Sequence, residues 1–311
     1  MIAETKKVIV ARPHGFCVGV SRAVRAARAA CSRFGKPVYC LNEIVHNEHV
    51  VGELESRGMR FVSSLCEVPE GSVLLFSAHG VEPGIAKEAA RRKFTVIDAT
   101  CPFVHKVHAE VRRFARQGYV VLLAGYRNHE EVRGVAGEAP GKVFVLENPE
   151  EAESVKIPSG TPVAFLTQTT LSRSSVRPVR DVLLARFPDL AEPDEGDICY
   201  ATENRQEAVR GLAAAVEYVI VLGSPNSSNS RRLVETALSS GRPAALAPGI
   251  GELHKLPLAD LRTLGLTSGA STPETLVEEA LAELAAMGFT RVENLETVRE
   301  KVEDFPLPKG L

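Results

Sequence analysis

Three cysteines in this chain have the surroundings that metal chemistry needs. Cys17 lies in Pro13-His14-Gly15-Phe16-Cys17-Val18-Gly19, Cys101 in Asp98-Ala99-Thr100-Cys101-Pro102, and Cys199 in Asp197-Ile198-Cys199-Tyr200-Ala201-Thr202. Each falls where a predicted strand or loop gives way to a helix. Gly15 and Gly19 let the backbone approach a bulky group, and Pro102 can open a helix. Thiolates are the ligands of iron–sulfur clusters, and a fully protein-ligated cubane takes four. Three would leave one iron open, and an open coordination position is where a metalloenzyme receives substrate. Spacing alone leaves both readings standing, joint ligation or separate core thiols. Cys31, Cys40 and Cys66 read as small buried hydrophobes. No Cys-x-x-Cys pair occurs, which argues against a zinc ribbon or a thioredoxin-type site.

Histidines and hydroxyls form a second set. His79 in Ser77-Ala78-His79-Gly80 and His129 in Asn128-His129-Glu130-Glu131 follow apolar strand-like runs, and His46 sits in the turn Ile44-Val45-His46-Asn47. An imidazole can donate to a phosphate oxygen. His14, His49, His105, His108 and His254 read as solvated or structurally satisfied. Three polar runs precede predicted helices: Thr167-Gln168-Thr169-Thr170-Leu171-Ser172, Asn226-Ser227-Ser228-Asn229-Ser230, and Thr267-Ser268-Gly269-Ala270-Ser271-Thr272-Pro273. Capping explains one or two residues in each. The surplus donors suit an anion held at a helix N-terminus. Glu131, taken alone, reads as a surface glutamate or an acid.

The elements that must position these residues alternate. Strands are expected over 7–11, 37–41, 72–77, 95–99, 119–124, 142–145, 163–167, 218–222 and 244–247. Helices are expected over 21–34, 83–93, 103–117, 171–186, 202–216, 228–240 and 273–287. That alternation, with apolar strands lacking a polar face, predicts an α/β fold with mostly parallel sheets. A strand, a small residue, a polar loop and a helix recur in this order, which suggests three similar α/β modules. The expected divisions are 1–101, 102–198 and 199–287, with 288–311 a tail packing back on another module. The 311 residues carry a net charge of −2, which gives no electrostatic case for nucleic acid. No apolar run reaches the ~18–20 residues of a membrane helix. Residues 1–7 read as leading directly into a strand rather than as a signal segment. A reducing cytoplasmic location is expected, in which cysteines serve as ligands or core residues. Neither a Gly-x-Gly-x-x-Gly after a strand nor a phosphate-loop motif is present.

Taken in order, these segments resemble the 4-hydroxy-3-methylbut-2-enyl diphosphate reductase family nearly end to end. The resemblance rests on Gly15 to Val20, Glu43 to Asn47, Phe76 to Val81, Asp98 to Pro102, Thr167 to Ser172, Asp197 to Thr202, Asn204-Arg205-Gln206, Gly223 with Asn226 to Ser230, and Gly269-Ala270-Ser271. It implies three α/β modules in a trefoil-like arrangement around a central iron–sulfur cluster. Cys17, Cys101 and Cys199 would hold a 4Fe–4S cluster with one open iron. His46, His79, Ser227, Asn229 and Ser271 would bind the substrate diphosphate, with His129 and Ser228 nearby. Glu131 would relay protons, and Thr169, flanked by Gln168 and Thr170, would orient the hydroxyl end. The implied reaction is reductive dehydroxylation to isopentenyl and dimethylallyl diphosphate, with a ferredoxin or flavodoxin as electron donor and no nucleic-acid or membrane partner.

One segment departs from the family pattern. Where His-Pro-Glu-Val-Glu-Gly is common, this chain reads His129-Glu130-Glu131-Val132-Arg133-Gly134, and Tyr126 stands where a histidine is common. Glu130 places a like charge beside the expected acid, and Arg133 an opposite one. Two other readings share the cysteine set: an iron–sulfur enzyme acting on a different small anion, and a non-catalytic sensor that binds ligand without turnover.

Overall fold

The computed structural model describes residues 6–35, 37–300 and 304–311. Among them are twelve strands: β1 (Lys7–Arg12), β2 (Val38–Leu41), β3 (Met59–Val62), β4 (Val73–Phe76), β5 (Thr95–Asp98), β6 (Val120–Ala124), β7 (Val143–Leu146), β8 (Val163–Thr167), β9 (Tyr218–Leu222), β10 (Ala244–Ala247), β11 (Thr263–Ser268) and β12 (Arg291–Glu296). Ten α-helices connect them: α1 (Val18–Phe34), α2 (Glu48–Ser56), α3 (Pro83–Arg91), α4 (Pro102–Arg116), α5 (Glu130–Ala136), α6 (Pro149–Ser154), α7 (Arg173–Arg186), α8 (Tyr200–Ala215), α9 (Ser228–Ser239) and α10 (Glu274–Ala286). The fold is α/β, and its strands form three sheets in which every pairing is parallel.

The chain divides into two compact units. One comprises Met1–Ser21, His46–Gly52 and Tyr200–Asp304, and the other Arg22–Val45, Glu53–Cys199 and Phe305–Leu311. The first holds a five-stranded sheet in the order β10-β9-β11-β1-β12. Successive residues of a strand face opposite sides, so each face carries its own core. Val8, Val10, Ile220, Leu222 and Leu264 pack with Leu276, Val277 and Leu284 of α10. Ile9, Ala11, Val219 and Val221 pack with Val209 and Leu212 of α8 and Leu233 of α9.

The second unit holds two sheets, β3-β2-β4-β5 and β7-β6-β8. α4 lays Val107, Val111 and Phe114 against Val121, Leu123 and Leu166. The opposite side of β6 and β8 packs Leu122 and Phe165 with Val176, Val179 and Leu183 of α7. The apolar face of α4 thus follows from its residue spacing, and its start from Pro102 at the first helical position.

Two features differ from the sequence expectations. β1 pairs with β11 and β12, Val8 opposite Leu264 and Val292, so the sheets do not follow a division at residue 101. Strand pairing across more than 250 residues leaves no local trace. The elements β3, β11, β12, α2, α5 and α6 also lie outside the expected set. β12, Arg-Val-Glu-Asn-Leu-Glu, is a polar edge strand, and β11 carries Gly265 and hydroxyl residues in a fully paired position. α5 and α6 are too short for helical periodicity to register.

Candidate active site

The three cysteines share one local setting. Cys101 is the N-cap of α4, while Cys17 and Cys199 each immediately precede the first residue of α1 and α8. All three are partly exposed thiols, none in a disulfide. Each is anchored through its own N–H: Cys17 to the Ala270 carbonyl at 3.2 Å, Cys101 to Ala78 at 3.0 Å and Cys199 to Thr169 at 3.0 Å. A helix N-terminus stabilises a thiolate. By contrast, Cys31 and Cys40 are buried, and burial, then the charge of Glu130, pushes the Cys40 thiol up. Cys66 is exposed, against the expectation of a core residue, because it lies in a short turn capped by Ser64.

The loops before these cysteines are pinned by polar side chains. In the first unit the Gly15 N–H donates to Ser268 Oγ at 2.9 Å, and the fully buried Arg205 donates to the Gly15 carbonyl at 2.9 Å. In the second, Asp98 Oδ1 accepts from the Thr100 N–H at 2.9 Å. Burial opposes ionisation of Asp98, but hydrogen bonds from His105 and Thr100 hold its carboxyl at about 2. Asp197 Oδ2 accepts from the Thr167 N–H at 2.9 Å, which fixes the approach to Cys199. Arg205 and Asp197 lie within sequence motifs that by themselves give these two residues no role. The signal available was a charged residue set among apolar helix positions, or two residues ahead of a cysteine.

Within the second unit, Glu131 sits in the first turn of α5 with 2% of its surface exposed. Its Oε1 accepts from the Thr169 N–H at 2.7 Å and its Oε2 from the Thr169 hydroxyl at 3.0 Å. Burial pushes this carboxyl up to about 7; the two Thr169 bonds pull it down, and the charge of Asp197 adds to the rise. The surface-glutamate reading fails because α5 approaches the end of β6 closely. A Cβ on Gly125 would stand 2.7 Å from Val132 Cγ2. Gln168 accepts from the Tyr126 N–H at 3.1 Å and donates to Thr170 Oγ1 at 3.1 Å, so it braces the loop carrying His129. His129 is the N-cap of α5: its Nδ1 accepts from the Glu131 N–H at 3.2 Å. That bond uses the Nδ1 lone pair, so the proton of a neutral ring lies on Nε2. The His79 ring meets His129 edge-on at 5.6 Å, and its Nδ1 lies 3.0 Å from Glu130 Oε2.

The first unit builds a different region at the start of α9. Ser227 caps the helix by accepting from the Ser230 N–H at 3.2 Å. Asn229 Oδ1 accepts from the Ala270 N–H at 2.8 Å, which assigns the amide orientation and leaves Nδ2 buried without a partner among the described residues. Ser227, Ser228, Asn229, Ser230 and Ser271 are all at most 7% exposed. The Ser271 hydroxyl donates to the His46 carbonyl at 3.0 Å, so it reaches a ligand only by rotating away. Packing is tight: a Cβ on Gly269 would stand 2.0 Å from Ser230 Oγ. Sequence reasoning gave Ser230 no site role, although it fills the space between Gly223 and Gly269. Neutral donors on a helix N-terminus, two of them (Asn229 Nδ2 and Ser230 Oγ) without a partner among the described residues, suit an anion.

A family model described as "LytB protein" matches residues 8–285. The chain belongs to the LytB protein family. It is 50% identical over 307 residues to the 4-hydroxy-3-methylbut-2-enyl diphosphate reductase of Acidothermus cellulolyticus, covering 98% of this chain and 90% of that protein. It is 48% identical to the protein of the same name from Tropheryma whipplei, covering 98% of each. The solved structure of the E-1-hydroxy-2-methyl-but-2-enyl-4-diphosphate reductase from Plasmodium falciparum superposes with a TM-score of 0.95 at 36% identity, covering 98% of this chain and 96% of that one. A second solved reductase, described as the terminal enzyme of the non-mevalonate pathway, gives a TM-score of 0.65 at 32% identity, covering 90% of this chain and 99% of that one. The residues of this LytB-family chain fit an iron–sulfur group: three partly exposed thiols, each directly before a helix, are the soft sulfur donors such a group takes. Among the described residues no helix is long and apolar enough to cross a membrane.

Proposed function

We propose that this chain reduces (E)-4-hydroxy-3-methylbut-2-enyl diphosphate to isopentenyl and dimethylallyl diphosphate. Two electrons and two protons enter, the allylic C–O bond breaks, a C–H bond forms, and water leaves. The observation that carries this reading is the link from acid to cysteine through one residue. Thr169 donates twice to the Glu131 carboxyl and accepts from the N–H of Cys199. A proton donor and a metal-ligand candidate thereby hang on the same residue.

Cys17, Cys101 and Cys199 would hold a 4Fe–4S cluster with one iron open. When bound, that cluster supplies single electrons and Lewis acidity toward the departing oxygen. Glu131, with a carboxyl that titrates near neutrality, delivers the proton that lets the hydroxyl leave as water. Thr169 fixes the direction of that carboxyl and orients the hydroxyl end. Gln168 and Thr170 hold the backbone on either side of Thr169.

His46, His79, Ser227, Asn229 and Ser271 take the diphosphate, with His129 and Ser228 adding donors. The unpartnered Asn229 Nδ2 gains an acceptor when phosphate arrives. Binding energy from the non-reacting diphosphate is then available to orient the reacting end. A ferredoxin or flavodoxin in a reducing cytoplasm fits as electron source, since the cysteines stay as thiols there.

The test is oxidation of reduced methyl viologen by anaerobically purified protein on addition of the substrate, with iron and sulfide quantified in the same sample. Turnover that is lost in Cys101→Ser together with iron supports the reading. A full cluster with no turnover overturns it in favour of another anion or a sensor. Absence of any cluster overturns the three-cysteine assignment.

A further inference from the structure

We propose that Glu130 is a positioning residue for diphosphate binding: its carboxylate holds His79 through Nδ1 with both ring nitrogens protonated, so that Nε2 donates to a phosphate oxygen. The proposal rests on the reading of His79 as a diphosphate ligand.

Glu130 opens α5 and His79 lies on the loop after β4, and the pair is largely buried, the His79 side chain 16% and the Glu130 side chain 18% exposed. Ser77 Oγ accepts from the His79 N–H at 3.3 Å, which fixes the backbone that presents the ring. On its own helix Glu130 has Arg133 at the i+3 position, the usual geometry for an ion pair. Arg133 is in no ion pair among the described residues, and both side chains line a cavity of about 400 Å³ shared with Glu82, Ser63 and Val81. The Glu130 carboxylate reaches instead to a histidine 51 residues away, at 3.0 Å. The neighbouring Glu131 faces Thr169, so its carboxyl does not compete for the ring.

The chemistry follows from donor counting. An ionised carboxylate only accepts, so Nδ1 of His79 carries a proton. A neutral ring protonated there presents a bare lone pair at Nε2, which repels a phosphate oxygen. Only the doubly protonated ring donates at Nε2, and a carboxylate on the far nitrogen favours that state. His129 reaches the same end by the opposite route, because its Nδ1 accepts from the Glu131 N–H and a neutral ring already carries Nε2–H. Two adjacent imidazoles thus offer Nε2–H, one neutral and one charged. A proline at position 130 has no side-chain acceptor, so the pairing belongs to sequences that carry an acceptor there.

The experiment uses holoenzyme labelled with ¹⁵N-histidine, in wild type, Glu130→Gln, Glu130→Ala and His79→Ala. Inorganic pyrophosphate affinity is read by calorimetry, ring protonation by imidazole ¹⁵N spectra, and KM and kcat with substrate. Glutamine keeps an acceptor without charge. The expected result for Glu130→Gln is a rise of about tenfold in pyrophosphate Kd and in KM. Its kcat should stay within about twofold, and the His79 signal in the pyrophosphate complex should change from doubly protonated to neutral. Glu130→Ala should weaken affinity at least as much. Unchanged or tighter pyrophosphate binding in both variants overturns the proposal, as does a neutral His79 ring in the wild-type complex. His79→Ala separates the two levels: unchanged affinity there removes His79 from the diphosphate site itself.

Discussion

The starts of α9 and α5 are both capped by a side chain that accepts a backbone N–H, yet they are finished in opposite ways. At α9 the cap is Ser227, the next residues Ser228, Asn229 and Ser230 are neutral, and Asn229 Nδ2 is buried with no partner among the described residues. At α5 the cap is His129, and the buried Glu131 has both oxygens bonded. A region built to bind keeps a donor unspent, because an unsatisfied buried group costs about 1–3 kcal/mol that a ligand can recover. A region built to move a proton spends its donors on holding the acid still and lets burial set its pKa.

The largest expected effect comes from Glu131→Gln. Its kcat should fall by about 10²–10⁴, the range for a general acid, with iron content and pyrophosphate affinity unchanged. Pyrophosphate affinity falling in step with kcat would break the division between the two regions. Asn229→Ala should do the reverse. Pyrophosphate binding should weaken by about 10-fold or more while kcat changes little, read by calorimetry and steady-state kinetics. A collapse of kcat at saturating substrate in that variant would move Asn229 out of the binding region.

The pH profile sharpens the acid side. Glu131 is raised from 4.5 to about 7 by burial, so its protonated, donating form declines above neutrality and kcat should fall there. The same shift bears on stability. The contribution of Glu131 is present below about 4.5 and is lost as pH rises through about 7. Asp197, raised by burial to about 6, acts in the same direction. Chemical denaturation between pH 5 and 8 should therefore show stability falling with pH. Glu131→Gln should flatten that slope, and an unchanged slope would place the linkage elsewhere. The smallest effect is expected from Thr169→Val. Losing the hydroxyl bond removes one influence that lowers the Glu131 pKa, so the alkaline limb of kcat should move upward. The limb moving downward would show that the Thr169 hydroxyl does not stabilise the ionised form.

Most strands and helices that touch the site were legible from local patterns. β8, β9 and β10 lie where the apolar runs place them, and α9 starts at Ser228 as its hydroxyl run suggests. Signals failed where they were short or contradictory. The hydroxyl run from Thr267 to Pro273 leads into α10 as expected, but its first two residues, Thr267 and Ser268, are buried residues of the unexpected strand β11, placed by pairing with β9. Glu131 reads as a surface residue because nothing local buries it; Thr169, which holds both its oxygens, lies 38 residues further along the chain.

What the sequence determined by itself was chemistry type: thiols ahead of helices, imidazoles after strands, and hydroxyls and amides at helix starts. Those choices depend on neighbours a few residues away, through capping, turn geometry and apolar period. Tertiary structure decided charge state and partnership. It joined β1 to β11 and β12, turned Glu131 into an acid titrating near 7, and set Glu130 on His79 rather than on Arg133. Desolvation and hydrogen-bond partners come from residues far apart in the chain, and those distances are fixed only when the sheets and helices have packed.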